Sequence, residues 1–122
     1  MLPDDAMSQT PIGLACQILN HRWAMPVLRE ILRRPLRFNE LHRLLPQVPA
    51  KSLGRVLHTL EQNGIVKRTV FSTRPPQVSY SMLNEDHLLR EIIQLLCQWG
   101  EQKLKTMRLT ADPSPRRPKG KP

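Results

Sequence analysis

The fold is decided by residues 36–83, which read LRFNELHRLLPQVPAKSLGRVLHTLEQNGIVKRTVFSTRPPQVSYSML. The first half of this stretch predicts two helices, at about 37–45 and 50–62, joined by a tight connection at 46–49. The second helix is expected to end at Gly64, because glycine readily adopts the left-handed conformation that closes a helix. The residues expected to face the core are Phe38, Leu41, Leu44 and Leu45 in the first helix and Leu53, Val56, Leu57 and Leu60 in the second.

The second half of the stretch predicts a β-hairpin. Strands are expected at about 65–72 and 77–83, because apolar and polar residues alternate along the second of them. Residues 73–76, Thr-Arg-Pro-Pro, form the predicted tip. Two helices joined by a short turn and followed by a hairpin predict a mainly α fold with a small β-hairpin, the winged helix-turn-helix.

Helices are also expected on both sides of this unit. Two precede it, at about 11–19 and 24–33, and one follows it, from an N-cap at Asn84 to about Met107. The last helix carries more apolar residues than one core-facing stripe needs, and at ~30 Å it outreaches so small a core. We therefore expect a second copy of the chain to cover its surplus apolar surface. The alternative is a long helix folded across its own domain.

Composition narrows the class of protein. The chain has 122 residues, enough for one domain, and a net charge of +9. Residues 20–83 hold eleven Lys and Arg against three Glu. This excess favours a surface that binds a polyanion, although a basic face that is merely solvated is the alternative. No apolar run of residues is long enough to cross a bilayer. The acidic N-terminal residues lack the basic and apolar stretches of a secretory signal, so we expect a cytoplasmic protein.

The sequence shows no recognisable catalytic or phosphate-cradling motif, so we expect neither enzyme activity nor a cofactor. The four histidines are widely scattered, and the two cysteines, Cys16 and Cys97, lie far apart in sequence. Because this is not the spacing of zinc ligands, we expect no zinc site. The cysteines lie on apolar stretches, where a free cysteine usually packs as a small hydrophobe.

Residues of the central section are expected to bind DNA. The outward side of the 50–62 helix is expected to reach base edges in the major groove through Lys51, Ser52, Gly54, Arg55, His58 and Thr59. Arg37 and Arg74 are placed to reach phosphates, while Lys67 and Arg68 flank the first strand of the wing, at about 66–83. A winged-helix module for protein contacts is the alternative, and RNA binding is a weaker one because exposed aromatic residues would be needed.

Seven segments in this order also match a known family: 18–23, 27–32, 36–41, 51–53, 60–68, 75–81 and 99–101. Over about residues 10–105 the chain resembles the HxlR-type winged helix-turn-helix regulators of bacteria, a MarR-like family. The resemblance implies a homodimeric transcription regulator that binds an inverted-repeat operator in double-stranded DNA. It implies pairing through the first and last helices, with the candidate contacts Ile12, Leu88, Ile92, Leu95 and Trp99.

The chain departs from the family's pattern at several places. Several relatives carry a reactive cysteine before the N-terminal proline, where this chain has Thr10. Cys16 is a possible substitute sensor, but nothing basic adjoins it in sequence to activate the thiol, and we predict that neither cysteine is a redox switch. Pro49 stands where a serine is frequent and Gly54 where a larger polar residue is common. Glycine inside a helix costs about 1 kcal/mol relative to alanine, which suggests that Gly54 lets the backbone approach DNA.

The predicted organisation has three parts. A flexible arm spans 1–10, the winged helix-turn-helix domain spans 11–107, and a basic, proline-rich tail that we expect to be disordered spans 108–122.

Overall fold

A computed structural model describes residues 9–110 as five helices and a three-stranded antiparallel sheet. The helices are α1 (Pro11–Ile18), α2 (Ala24–Arg33), α3 (Phe38–Leu44), α4 (Ala50–Gln62) and α5 (His87–Thr110). The strands are β1 (Leu36–Arg37), β2 (Val66–Thr73) and β3 (Pro76–Met82). The predicted winged helix-turn-helix is confirmed, with α3 and α4 as the helix pair and β2 and β3 as the wing. The predicted arm and tail lie outside the described residues, except where they adjoin α1 and the end of α5.

The sheet has one strand more than the sequence predicted. In β1, Leu36 pairs with Tyr80 and Arg37 pairs with Ser79 of β3, so the strand order is β1-β3-β2. The prediction of a helix from residue 37 was therefore wrong at its start. Arg37 is extended (φ −82°, ψ 161°), and the helix begins at the next residue.

One core holds the helices against the sheet. Its buried residues are Ala24, Val27, Leu28, Ile31, Leu36, Leu41, Leu45, Val48, Leu53, Val56, Leu57, Leu60, Ile65, Val66, Met82 and Ile93. The four apolar residues predicted to line the inner side of α4 are all among them. Leu44, predicted to face inward, is instead 50% exposed. Leu41 and Leu45, four residues apart, already fill the inner side of that segment.

The turn between α3 and α4 is fixed from inside. Val48 in the middle of the turn is fully buried, and its carbonyl oxygen lies 2.9 Å from His42 Nε2. Because a carbonyl oxygen only accepts, Nε2 carries the proton and donates it. These contacts tie the turn to α3 and to the core.

The start of α5 differs from the prediction. The amide of Leu83 still donates to the carbonyl of Ile65 (3.1 Å), so the chain remains tied to the sheet up to that point. Asn84, predicted as the N-cap, instead lies in a turn, and the helix begins at His87 directly after Asp86.

Arg90 anchors the first part of α5 to the rest of the domain. Its guanidinium donates to the carbonyl oxygens of Leu32 (3.3 Å) at the end of α2 and Met82 (3.4 Å) at the end of β3. Ile93, one turn further, is buried in the core. The inner side of α5 is thus defined, and its other side faces away from the domain.

Candidate nucleic-acid interface

The outer face of α4 carries the largest share of the predicted DNA-binding residues. Lys51, Arg55 and His58 follow one another at helical spacing and are exposed, because the opposite face of α4 fills the core. Ser52 and Gly54 are half-buried at the edges of this face. The structure therefore brings these five predicted residues together on one surface, which we call the α4 face.

Gly54 lies in open space. A Cβ atom added to it would meet no protein atom within 4 Å. The fold therefore does not need a glycine there for its own packing.

Arg37 stands at the N-terminus of α3, beside the wing. Its backbone N–H donates to Glu40 Oε1 at 2.8 Å, which caps the helix. Its guanidinium lies over the ring of Phe71 in β2, 5.1 Å from the ring centroid. Next to it, a groove of about 510 Å³ is bordered by side chains that include Asn39, Arg43 and Gln77.

Glu40 is held in its ionised form. The hydrogen bond from the Arg37 amide is the main cause that lowers the pKa of the Glu40 carboxyl below its usual 4.5. Desolvation opposes it, and the charges of Arg34, Arg37 and Arg43 each add a smaller effect that lowers the pKa. An acidic group at this position also suits the positive end of a helix dipole.

This shift predicts a pH dependence of stability. A carboxyl whose pKa is lower in the folded than in the unfolded chain stabilises the fold above its unfolded pKa, and that contribution disappears as pH falls through the folded pKa. Below pH 4.5, the free energy of unfolding of the wild type should therefore fall more steeply than that of Glu40→Gln. Urea unfolding between about pH 3 and pH 7 measures this, with Glu61→Gln as an exposed control. Parallel curves for the wild type and Glu40→Gln would contradict the role given to this carboxylate.

The two predicted basic residues of the wing lie at opposite ends of it. Arg74 is exposed in the turn after β2, where Ser72 Oγ donates to the carbonyl of Pro75 (3.2 Å). Lys67 is near the start of β2, opposite Ser81, so about seven residues or ~23 Å of strand separate it from Arg74. Lys67 instead borders a groove of about 440 Å³ with Arg90. Arg74 therefore lies at the tip of the wing, and Lys67 lies at its base.

The sequence analysis missed several residues on the surface near Arg37. The exposed Asn39 and Arg43 on α3 could have been found from their polar character. Phe71 could not, because an aromatic residue in a strand normally indicates core. A bulge between Val70 and Ser72 changes the register of β2 at Phe71, which is 52% exposed.

A second exposed surface is apolar and lies on α5 and α1. The five predicted contacts between copies are all exposed in the single chain: Ile12 (70%), Leu88 (75%), Ile92 (47%), Leu95 (60%) and Trp99 (58%). The alternative of a helix folded across its own domain would have covered the four on α5, and it is not what the structure shows. We call the four residues of α5 the α5 stripe.

The two cysteines are exposed as well, on α1 and α5, so neither packs as a small hydrophobe within the single chain. Thr10 caps α1: its Oγ1 accepts a hydrogen bond from the amide of Gly13 at 3.0 Å.

Two structural absences hold for residues 9–110. In this part of the chain no helix is long and apolar enough to cross a membrane. Within the same residues, no three His, Cys, Asp or Glu side chains come together as ligands for a metal ion.

Comparison with known proteins shows which family the chain resembles. A family model described as HxlR-like helix-turn-helix matches residues 18–108. An uncharacterized HTH-type transcriptional regulator of Halalkalibacterium halodurans is 33% identical over 95 residues, which cover 77% of this chain and 84% of that protein. The HTH-type transcriptional regulator YkvN of Bacillus subtilis is 36% identical over 84 residues, which cover 69% of this chain and 71% of YkvN. The solved structure of the redox regulator HypR in its reduced form matches with a TM-score of 0.75 at 27% identity, over 81% of this chain and 98% of that one.

Proposed function

The chain belongs to the HxlR-like helix-turn-helix family of DNA-binding transcriptional regulators, and from this premise we propose that it reads an inverted-repeat operator as a symmetric dimer. In the proposed complex α4 lies in the major groove of double-stranded DNA, and the wing reaches the backbone or the minor groove. The observation that carries the proposal is the α4 face, on which the exposed side chains of Lys51, Arg55 and His58 lie opposite the core-facing stripe of the helix. Because a regulator of transcription works where the chromosome lies, we also propose a cytoplasmic location.

The four polar side chains of the α4 face each have a chemical role in this proposal. Arg55 and Lys51 are the base readers, since their N–H groups match the O6 and N7 acceptors of guanine. Their charges are available, because the described ion pairs join Arg29 to Glu30 and Arg34 to Glu40. Ser52 and His58 supply further donors and acceptors along the groove. No side chain caps the start of α4, which leaves the amides there free for a phosphate.

The dimer is proposed from the α5 stripe. With 24 residues, α5 is about 36 Å long and its apolar residues recur at helical spacing on the side away from the core. A groove of about 290 Å³ beside the stripe, bordered by Ile18 of α1 and by Leu88 and Ile92, gives apolar side chains of the second copy a place to enter. If the second copy contacts both α1 and α5, the side chain of Ile12 is buried as well.

Sedimentation velocity tests this proposal directly. The wild-type chain should sediment as a dimer at micromolar concentration, and two chains should bind one operator duplex. A monomer in both conditions would overturn the dimer. A dimer that binds operator and random duplexes equally would support the alternative, a winged-helix module without specific DNA binding.

Gly54 gives a prediction with two readouts. Alanine at this position should raise the free energy of unfolding by about 0.5–1 kcal/mol, because its methyl group meets nothing in the protein and alanine favours helix. The same methyl group should weaken DNA binding, since it stands between α4 and the groove. Gly100→Ala in α5, equally open, is the matched control and should raise stability without changing DNA affinity. Full operator affinity in the Gly54→Ala protein would contradict the close approach.

The cysteines give a further prediction. Cys16→Ser and Cys97→Ser should each leave DNA affinity within about twofold of the wild type, as is usual for exposed positions. Treatment of the wild type with a mild thiol oxidant should not release DNA. Release that Cys16→Ser abolishes would reverse this prediction and make Cys16 a sensor.

A further inference from the structure

Phe71 is exposed although it is one of the few large aromatic side chains of this protein. It lies at the bulge of β2 and is outside the buried core. Its described ring contact is with the guanidinium of Arg37, at 5.1 Å. The distance is within the range in which a cation is attracted to the face of an aromatic ring.

The Arg37 backbone is fixed independently of this ring. It pairs with Ser79 in the sheet and donates its amide to Glu40. The Arg37 side chain is not fixed by these contacts. An exposed arginine has many rotamers and loses conformational entropy when it binds. The described ion pairs do not include it. The ring of Phe71 therefore supplies the contact that selects where the guanidinium lies, and it leaves the N–H groups at the edge of the guanidinium plane free.

The groove beside Arg37 suits an anion. Arg43, Asn39 and Gln77 border it with N–H donors, while Glu40, its acidic side chain, is already engaged by the Arg37 amide. A guanidinium at this place can bind two oxygens of one phosphate through parallel N–H bonds.

We propose that Phe71 is a positioning residue, which holds the Arg37 guanidinium at the mouth of this groove so that it binds a phosphate of the DNA backbone. The contact joins the wing to the start of α3, so the wing affects DNA binding at a place that its tip does not touch. This inference rests on the proposed function, since it assigns the phosphate to operator DNA.

Fluorescence anisotropy titrations at several salt concentrations test it with five proteins: wild type, Arg37→Ala, Phe71→Leu, Phe71→Tyr and the double variant Arg37→Ala/Phe71→Leu. Phe71→Leu should weaken binding roughly 2–5-fold per subunit, by the same factor on operator and random duplexes, as an exposed cation–π contact implies. Phe71→Tyr keeps the ring and should restore the affinity. The double variant should bind no more weakly than Arg37→Ala, and the salt slope of Phe71→Leu should fall toward that of Arg37→Ala.

Val70→Ala, at the neighbouring exposed position of β2, controls for general disturbance of the wing and should bind as the wild type does. Wild-type affinity in Phe71→Leu would overturn the inference. Full additivity with Arg37→Ala would do the same, because Phe71 would then act on DNA by itself. An equal loss in Val70→Ala would also overturn it. Wild-type DNA affinity in the Arg37→Ala protein would refute the phosphate contact. A wild-type protein that binds no duplex would refute the proposed function itself.

Discussion

Ile92→Glu should convert the dimer into monomers and remove operator binding at concentrations where the wild type is saturated. Ile92 lies within the α5 stripe, between Leu88 and Leu95, and in the proposed dimer its side chain would be buried against the second copy. A carboxylate there would be buried without a partner in both subunits, which costs several kcal/mol. We therefore expect the dissociation constant of the dimer to rise by at least about 100-fold.

The domain itself should survive this change, because Ile92 is 47% exposed in the single chain. Sedimentation equilibrium gives the dimer constant, and circular dichroism shows whether the helices remain. Gln94→Glu puts the same charge on the same helix away from the stripe and should stay dimeric. An Ile92→Glu protein that pairs as tightly as the wild type would place the interface elsewhere.

Arg55→Ala should relax the choice of one base pair in each half-site. A bidentate arginine–guanine contact is worth about 1–3 kcal/mol of discrimination, so the loss should appear on operator and be small on random DNA. Arg74→Ala should behave differently, because a phosphate contact weakens all sequences alike and lowers the salt slope by about 0.9 for each phosphate lost.

Salt titrations of both variants on both DNAs separate the two roles. Arg55→Ala should retain the salt slope of the wild type more closely than Arg74→Ala does. Equal losses for both variants on operator and on random DNA would mean that α4 is not the reader.

Much of the domain could be predicted because local signals agreed with the tertiary structure. The bounds of α2 and α4 coincide with the prediction, since periodic apolar residues were bracketed by Pro35, Pro49 and Gly64. Gly64 has the expected positive φ of 73°. β1 could not be predicted, because two residues show no periodicity and the strand exists only through pairing with β3, far along the chain.

Tertiary contacts also explain the other differences. Asn84 is a good N-cap by type, but it lies in a turn in which the Asp86 amide donates to the Leu83 carbonyl (3.2 Å), and the helix begins only at His87. The charge of Arg37 was visible in the sequence, whereas its contact with Phe71 depends on a bulge that only the paired strands create. Spacing alone likewise gave the α4 face, because one side of a helix follows directly from its periodicity.

Selection of bound duplexes from a random DNA library by the wild-type protein tests the central claim most directly. If two copies of the chain read DNA through α4, the enriched sequences should contain an inverted repeat. The centres of its half-sites should lie about one helical turn apart, ~34 Å, or a multiple of that distance. A pool that shows no enrichment, or an enriched sequence without two-fold symmetry, would contradict a symmetric dimer that reads an operator.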